Sequence, residues 1–281
     1  MVHSIMERAD KSLVRDAPYP IMVVENALPE AYYAELEASY PTMAFVAGRS
    51  DVENNKIYLK PAADILDNPE VPEIWREFMA YHCSEDFYRE VIDFWEDWLE
   101  RLHPALERNF GKSLRDFSLE LRRPGKHDNP ENRAADLMMD CQFGMHSPVS
   151  AVTSARGPHV DNRAKLFAAL LYFRHADDRS TGGDLELYRL KGRPYPKRQM
   201  TKIDPKFVEH VDTVSYGANK LVMWPNSGYH IHGVSPRAIT DMPRRYVNFL
   251  GECYGGKRDG FFTALPSQGL SLRGLLDHVR P

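Results

Sequence analysis

The sequence predicts a mostly β protein with helices gathered ahead of its strands, and two observations carry this. From residue 113 onward, short apolar or alternating segments recur between turn residues, at 117–121, 137–150, 159–161, 166–173, 184–188, 207–216, 220–224, 230–234 and 245–250. No helical period lies between them, which argues for an antiparallel sandwich or barrel. Before residue 113 the apolar spacing is instead helical.

Taken in order, residues 1–20 read as a tail or short helix, and Ile21-Met-Val-Val24 as a short strand. Tyr33, Leu36 and Tyr40 share a helical face, and Pro29 is placed to open that helix. Residues 46–67 are polar and irregular, and are expected to form a surface loop, one long enough to lie over a pocket. A helix is predicted over 71–81. Another begins after Ser84 as N-cap and carries Phe87, Val91, Phe94, Trp95, Trp98, Leu102 and Leu106 along one broad face. Pro104 should kink it and Gly111 should end it. That aromatic face should pack on a sheet. Residues 124–131 read as a loop and 270–279 as a short C-terminal helix. There is no internal repeat or low-complexity segment.

A chain of 281 residues has room for a sizeable core. A net charge of −4 offers no basic footprint for nucleic acid. Cys83, Cys141 and Cys253 share no disulfide-framework or metal-like spacing, which points to a reducing cytoplasm. No signal-peptide pattern opens the chain, and no stretch approaches the ~20 apolar residues of a membrane span.

The chemistry concentrates in G-P-H-V-D-N, beginning at Gly157. In extended backbone, residues two apart project from one face, so His159 and Asp161 converge. A third ligand is expected at His232 in H-I-H-G-V-S-P, because Gly233 permits close approach and Pro236 ends the segment. Two histidines and a carboxylate on one octahedral face form the non-haem Fe(II) oxygenase arrangement, with positions left open for co-substrate and O2. Two other His-x-Asp pairs compete. His175 and Asp177 sit in a turn-rich run. His210 and Asp212 alternate like a strand but lie only about twenty residues before His232, enough for a hairpin. Both pairs read as solvated surface. His230 would share a face with His232 in extended backbone, and either could instead be a buried, hydrogen-bonded histidine, with His232 preferred as the ligand.

These residues resemble the Fe(II)/2-oxoglutarate-dependent dioxygenases, in their prolyl-hydroxylase-like branch. The matching pieces are H-V-D-N at 159–162, G-G-D-L-E-L at 182–187, H-G-V-S-P at 232–236 and R-R-Y-V-N-F at 244–249, in the family's order. The resemblance implies a double-stranded β-helix (a jelly roll, cupin-like) backed by N-terminal helices. It implies one oxygenase domain over 1–281, with a helical part to about 112, a core over about 113–256 and a tail over 257–281. It also implies Fe(II), 2-oxoglutarate and O2 as cofactor and co-substrates, with His159, Asp161 and His232 as iron ligands. Arg245 matches the arginine that grips the distal carboxylate of 2-oxoglutarate, a role suited to a planar guanidinium. Arg244 would face the other way, so only one of the two can serve. Tyr172 matches a tyrosine that hydrogen-bonds the same carboxylate. An intact Asp161 favours hydroxylation over halogenation.

The expected activity is hydroxylation of an unactivated C–H of a small polar or anionic metabolite, with succinate released. The basic run at 193–202 and the cluster Arg122, Arg123, Lys126 and Arg133 are candidates for steering an anion. Three other readings stay open. They are a peptidyl, prolyl-type hydroxylase, a non-catalytic metal-binding jelly roll, and a cupin-like isomerase or lyase. No residue fixes the oligomeric state.

Overall fold

Ser84 opens the longest helix as the sequence predicts, its hydroxyl accepting from the Phe87 amide. A computed structural model describes residues 2–191 and 202–254. The expected helix over 270–279, and the basic run at 193–202 apart from Lys202, lie outside the described residues. The strands are β1 Val14–Arg15, β2 Ile21–Val24, β3 Ile57–Lys60, β4 Leu119–Leu121, β5 Leu137–His146, β6 Lys165–Phe173, β7 Leu185–Leu190, β8 Val208–Val214, β9 Ala218–Pro225, β10 Ile231–Val234 and β11 Arg244–Cys253. The helices are α1 Glu30–Ala38, α2 Met43–Ala47, α3 Ala63–Leu66, α4 Glu73–His82, α5 Glu85–Leu102 and α6 Leu106–Phe110.

Three elements differ from the sequence reading. Pro104 stops α5 rather than kinking it, because it can donate no amide and disfavours helical backbone at His103. A separate short helix, α6, follows, and Gly111 caps it at φ +74°. Residues 46–67 are not one loop. Ile57-Tyr-Leu-Lys60 alternates and finds an open edge of β5, where Ile57 pairs with His146 and Leu59 with Gly144. Finally, residues 1–20 hold no α-helix among the described residues, but a 3-10 turn at Lys11–Leu13 and the short β1.

Two sheets result. The larger is strand-rich and mixed, running β1-β2-β9-β6-β11-β5-β3, with β4 added in parallel to β5. The smaller runs β10-β7-β8. The helices cover one face of the large sheet, where Phe143, Phe167, Phe173, Val247 and Phe249 join Trp75, Phe78, Phe87 and Trp95 in one apolar cluster. A second cluster includes Tyr172, Val222, Trp224 and Tyr246 from the large sheet with Leu185, Leu187 and Val214 from the small one. Strand β5 is therefore buried along all ten residues. Alternation along β11 sends Val247 and Phe249 to the helices and Arg244, Tyr246 and Asn248 to the other face.

His82 ties the N-terminal segment to this core. Its ring sits fully buried among Phe78, Phe87 and Phe249. The ring bonds the Phe78 carbonyl oxygen at Nδ1 and accepts from the Ile5 amide at Nε2. Burial lowers its pKa to about 3. The folded state thus binds fewer protons than the unfolded chain, so this contribution is present above pH 6.5 and lost as pH falls toward 3. At pH 5 it should cost about 2 kcal/mol relative to pH 7. Urea unfolding of His82→Phe should show lower stability at pH 7, by about 1–3 kcal/mol for the orphaned amide and carbonyl, with a flatter loss between pH 7 and 5. Wild-type and variant curves that fall in parallel would refute the assignment.

Candidate functional site

His159 lies outside the named strands. It is held by reciprocal backbone bonds instead, the His159 amide donating to the His232 carbonyl and the reverse, both at 2.9 Å. This pairing sets the two imidazoles side by side, tilted by 59° with centroids 4.2 Å apart. Gly233 makes the pairing possible, since a Cβ there would lie 3.2 Å from the Gly157 carbonyl carbon and 3.3 Å from the Arg156 oxygen. The glycine thus accommodates a neighbouring backbone segment.

Each histidine is oriented by a carbonyl. His159 Nδ1 donates to Gly157 O at 2.9 Å and His232 Nδ1 to His230 O at 3.0 Å, which leaves both Nε2 lone pairs free. Those nitrogens lie 3.9 and 4.0 Å from one oxygen, Asp161 Oδ1. The three ligand atoms fall within 4.8 Å of one another, and among the described residues this is the one such group of His, Cys, Asp or Glu. An octahedral face with ~2.1 Å bonds needs separations near ~3 Å, so a small contraction would seat a metal. Burial lowers the pKa of both histidines and keeps them neutral. Burial alone would raise Asp161, but the Lys165 ammonium holds the carboxyl well below the usual range. Two neutral imidazoles and one carboxylate suit a divalent cation.

The competing pairs stay apart from this group. His210 bonds Thr213 Oγ1 at 2.8 Å on an exposed face, and Asp212 pairs with Arg15. His175 and Asp177 bond each other in an exposed turn. His230 is fully buried, with Nδ1 at 2.6 Å from Ser227 Oγ and Nε2 at 3.1 Å from Pro20 O. It joins β10 to the start of β2.

The metal group lines a cavity of about 120 Å³ between the sheets, together with Arg156, Lys165, Trp224, His146, Tyr246, Asn248 and Arg244. Residues 46–67 reach it through Ile57 and Leu59 of β3. A larger groove of about 660 Å³ lies between the N-terminal segment and α5, but it contains none of these groups.

Arg244, not Arg245, reaches the cavity. Arg245 projects toward the helices, donating to Phe173 O at 3.0 Å, pairing with Glu37 and resting over Tyr40. Arg244 is 1% exposed and rests against Tyr172, Tyr216 and Tyr246, with its Cζ 4.8–5.2 Å from each ring centroid. Its Nε donates to Gly183 O at 2.6 Å, while one terminal nitrogen has no partner. No carboxylate among the described residues pairs with it. By contrast, its neighbour Arg237 is neutralised by Asp178 at 2.9 Å. A buried, uncompensated guanidinium costs several kcal/mol, a cost that a paired anion would relieve. Tyr172 Oη and His146 Nδ1 are likewise buried without partners. Gly183 permits this packing, because a Cβ there would sit 3.2 Å from Arg244 Cδ.

The sequence reading missed Arg156, Lys165 and His146. Lys165 was legible as the fourth residue after Asp161, and Arg244 as the residue two before Tyr246 and four before Asn248. Three of the four residues in the basic cluster read for anion steering have carboxylate partners. Arg122 pairs with Glu252, Lys126 with Glu120 and Arg123 with Asp67, while Arg133 donates to His127 O.

A Gly233→Ala substitution should push the Gly157 backbone outward. It should weaken divalent-metal binding about tenfold and lower stability by about 1–3 kcal/mol. Calorimetric Mn(II) titration and thermal unfolding check this. Unchanged metal affinity would sever Gly233 from the geometry of the ligands.

No family model matches the chain, and no curated protein matches its sequence. Among solved structures, a Pseudomonas putida prolyl-4-hydroxylase is 13% identical over 84% of this chain and 93% of that chain, with a TM-score of 0.43. The non-heme alpha ketoglutarate dependent carbocyclase SnoK from nogalamycin biosynthesis is 12% identical over 100% of this chain and 94% of that chain, at 0.47. The epimerase SnoN from the same biosynthesis is 11% identical over 89% and 84%, at 0.45. The site is read on its own geometry.

Proposed function

We propose that this protein is an Fe(II)- and 2-oxoglutarate-dependent dioxygenase that hydroxylates a small polar or anionic metabolite. In this reading the two facing sheets form a double-stranded β-helix, and helices and sheets belong to one catalytic domain. The observation that carries the proposal is the pairing, in one cavity, of a His-Asp-His metal group with a buried guanidinium that lacks a counter-ion. A metal alone would explain the first and leave the second unpaid. A metal-chelating dicarboxylate accounts for both.

His159 Nε2, Asp161 Oδ1 and His232 Nε2 would hold Fe(II), and Arg244 would receive the distal carboxylate of 2-oxoglutarate through its free terminal nitrogen. Tyr172, whose ring packs against that guanidinium, would add a hydroxyl donor. When bound, iron and 2-oxoglutarate together supply O2 activation and C–H oxidation, with decarboxylation to succinate. The chain's own part is placement and dryness. Leu170, Leu185 and Val234 line the cavity and exclude water, which strengthens every charge interaction inside. Because Arg245 is committed to Glu37 on the far side of the sheet, Arg244 takes the role first assigned to its neighbour.

The cavity of about 120 Å³ is smaller than the ~300–1,000 Å³ usual for ligand sites. Among the described residues, Asp161 is the one acidic residue lining it, against Arg156, Lys165 and Arg244. Once Arg244 is matched by 2-oxoglutarate, the remaining positive charge favours an anionic substrate.

Arg244→Met should weaken anaerobic 2-oxoglutarate binding to the Fe(II) protein about a hundredfold, the ~2–5 kcal/mol of a truncated buried charge pair. Arg245→Ala should change it less than about threefold, on the same principle applied to a residue outside the cavity. The visible absorption band of the chelate measures both. His159→Ala, Asp161→Ala and His232→Ala should each abolish O2-dependent succinate formation, with His210→Ala and His175→Ala active. A wild-type protein that never forms the band, or that keeps it in Arg244→Met, would sink the reading. Succinate released only with protein extracts would move the substrate to a polypeptide.

A further inference from the structure

The two oxygens of Asp161 are divided between two partners. Oδ1 faces both histidines, at 3.9 Å from His159 Nε2 and 4.0 Å from His232 Nε2. Oδ2 instead lies 3.2 Å from the Lys165 ammonium. The lysine side chain is 14% exposed and the carboxylate 6%, so the pair is largely shielded from water. Among the described residues, Asp161 is also the one carboxylate lining the cavity, so none of them offers Lys165 another anion there.

The backbone between them is braced to hold this contact. Asp161-Asn162-Arg163-Ala164-Lys165 forms a turn in which the Lys165 amide donates to Asn162 O at 3.0 Å and the Ala164 amide to Asn162 Oδ1 at 3.1 Å. The fully buried Asn226 clamps both ends, its Nδ2 donating to Asn162 O at 3.0 Å and to Lys165 O at 3.1 Å. Asn226 O in turn lies 2.7 Å from His103 Nε2. From Lys165 the chain enters β6, so the ammonium stem starts from a rigid strand.

We propose that Lys165 is a positioning residue that occupies Asp161 Oδ2 and so confines Asp161 to one-oxygen coordination of the metal. This rests on the metal-site reading above. A carboxylate can bind a metal through one oxygen or two. If Asp161 used both, it would take four of six positions with the two histidines and leave two open. With Oδ2 engaged by Lys165, three stay open, enough for a chelating co-substrate and O2 together. The lysine thereby preserves the position that O2 needs. An ion pair in a site shielded from water is strong enough to enforce the choice.

The test counts waters on bound Mn(II) by proton relaxation, with no turnover involved. Wild type should hold three exchangeable waters. Lys165→Met should hold two, lowering the relaxivity of the bound ion by about one third. Lys165→Leu serves as a second neutral variant should Lys165→Met fail to fold. Lys165→Arg, which keeps a cation to pair with Oδ2, should restore the wild-type value. Wild-type relaxivity in both neutral variants would overturn the proposal, as would loss of Mn(II) binding by a folded neutral variant. If wild type itself binds no Mn(II), or His159→Ala binds it equally, the metal-site reading fails, and this proposal with it.

Discussion

A side chain on a β-strand faces one side of its sheet, and here the two sides are chemically unlike. One side of the large sheet meets α4 and α5 through Phe143, Phe167, Phe249, Trp75 and Trp95. The other meets the small sheet and carries Arg244, Tyr246 and Asn248 along β11, with His146 opposite Arg244 on β5. A slip of one residue would exchange the two sets and bury Arg245 in the cavity. Register is therefore the constraint on which the site depends. The paired run of ten residues between β11 and β5 enforces it, because each step would have to move an aromatic ring out of the helix-facing core.

Charge is distributed to match. The metal end holds two neutral imidazoles and one carboxylate kept ionised by Lys165, so its donors carry little net charge before a cation arrives. The other end keeps a guanidinium among three tyrosines with no carboxylate in reach. Aromatic faces lessen the cost of burying that cation but do not remove it. Nearby, Arg237 shows the alternative, buried equally and paired with Asp178. The difference between two adjacent buried arginines, one paired and one not, is what singles out the ligand end of the cavity.

Glycines decide where backbones can approach. Gly233 admits the Arg156–Gly157 segment that carries His159, and Gly183, at φ +76°, admits the Arg244 stem. The G-G-D and H-G-V pieces are thus part of the same construction as the charged residues, since a side chain at either position would separate groups that must share a cavity.

The His159 and Asp161 pair, α5 with its Ser84 cap, and most strands were legible from the chain itself, because they depend on short spacings: residues two apart in extended backbone, or three and four apart on a helix. His232 was picked out by Gly233 and Pro236 beside it and reaches the pair only through long-range backbone pairing. The choice of Arg244 over Arg245 was not legible, for strand direction is readable from alternation but the identity of the buried side depends on which sheet and helices cover it. Strand β3 was hidden for a similar reason, since Ile57 and Leu59 become a strand only by meeting the free edge of β5. Arg122 looked available in sequence and is paired with Glu252, 130 residues away. Local spacing set His159 beside Asp161 and determined most of the elements; long-range pairing alone brought His232 to them and decided which charges, among the described residues, were left without partners.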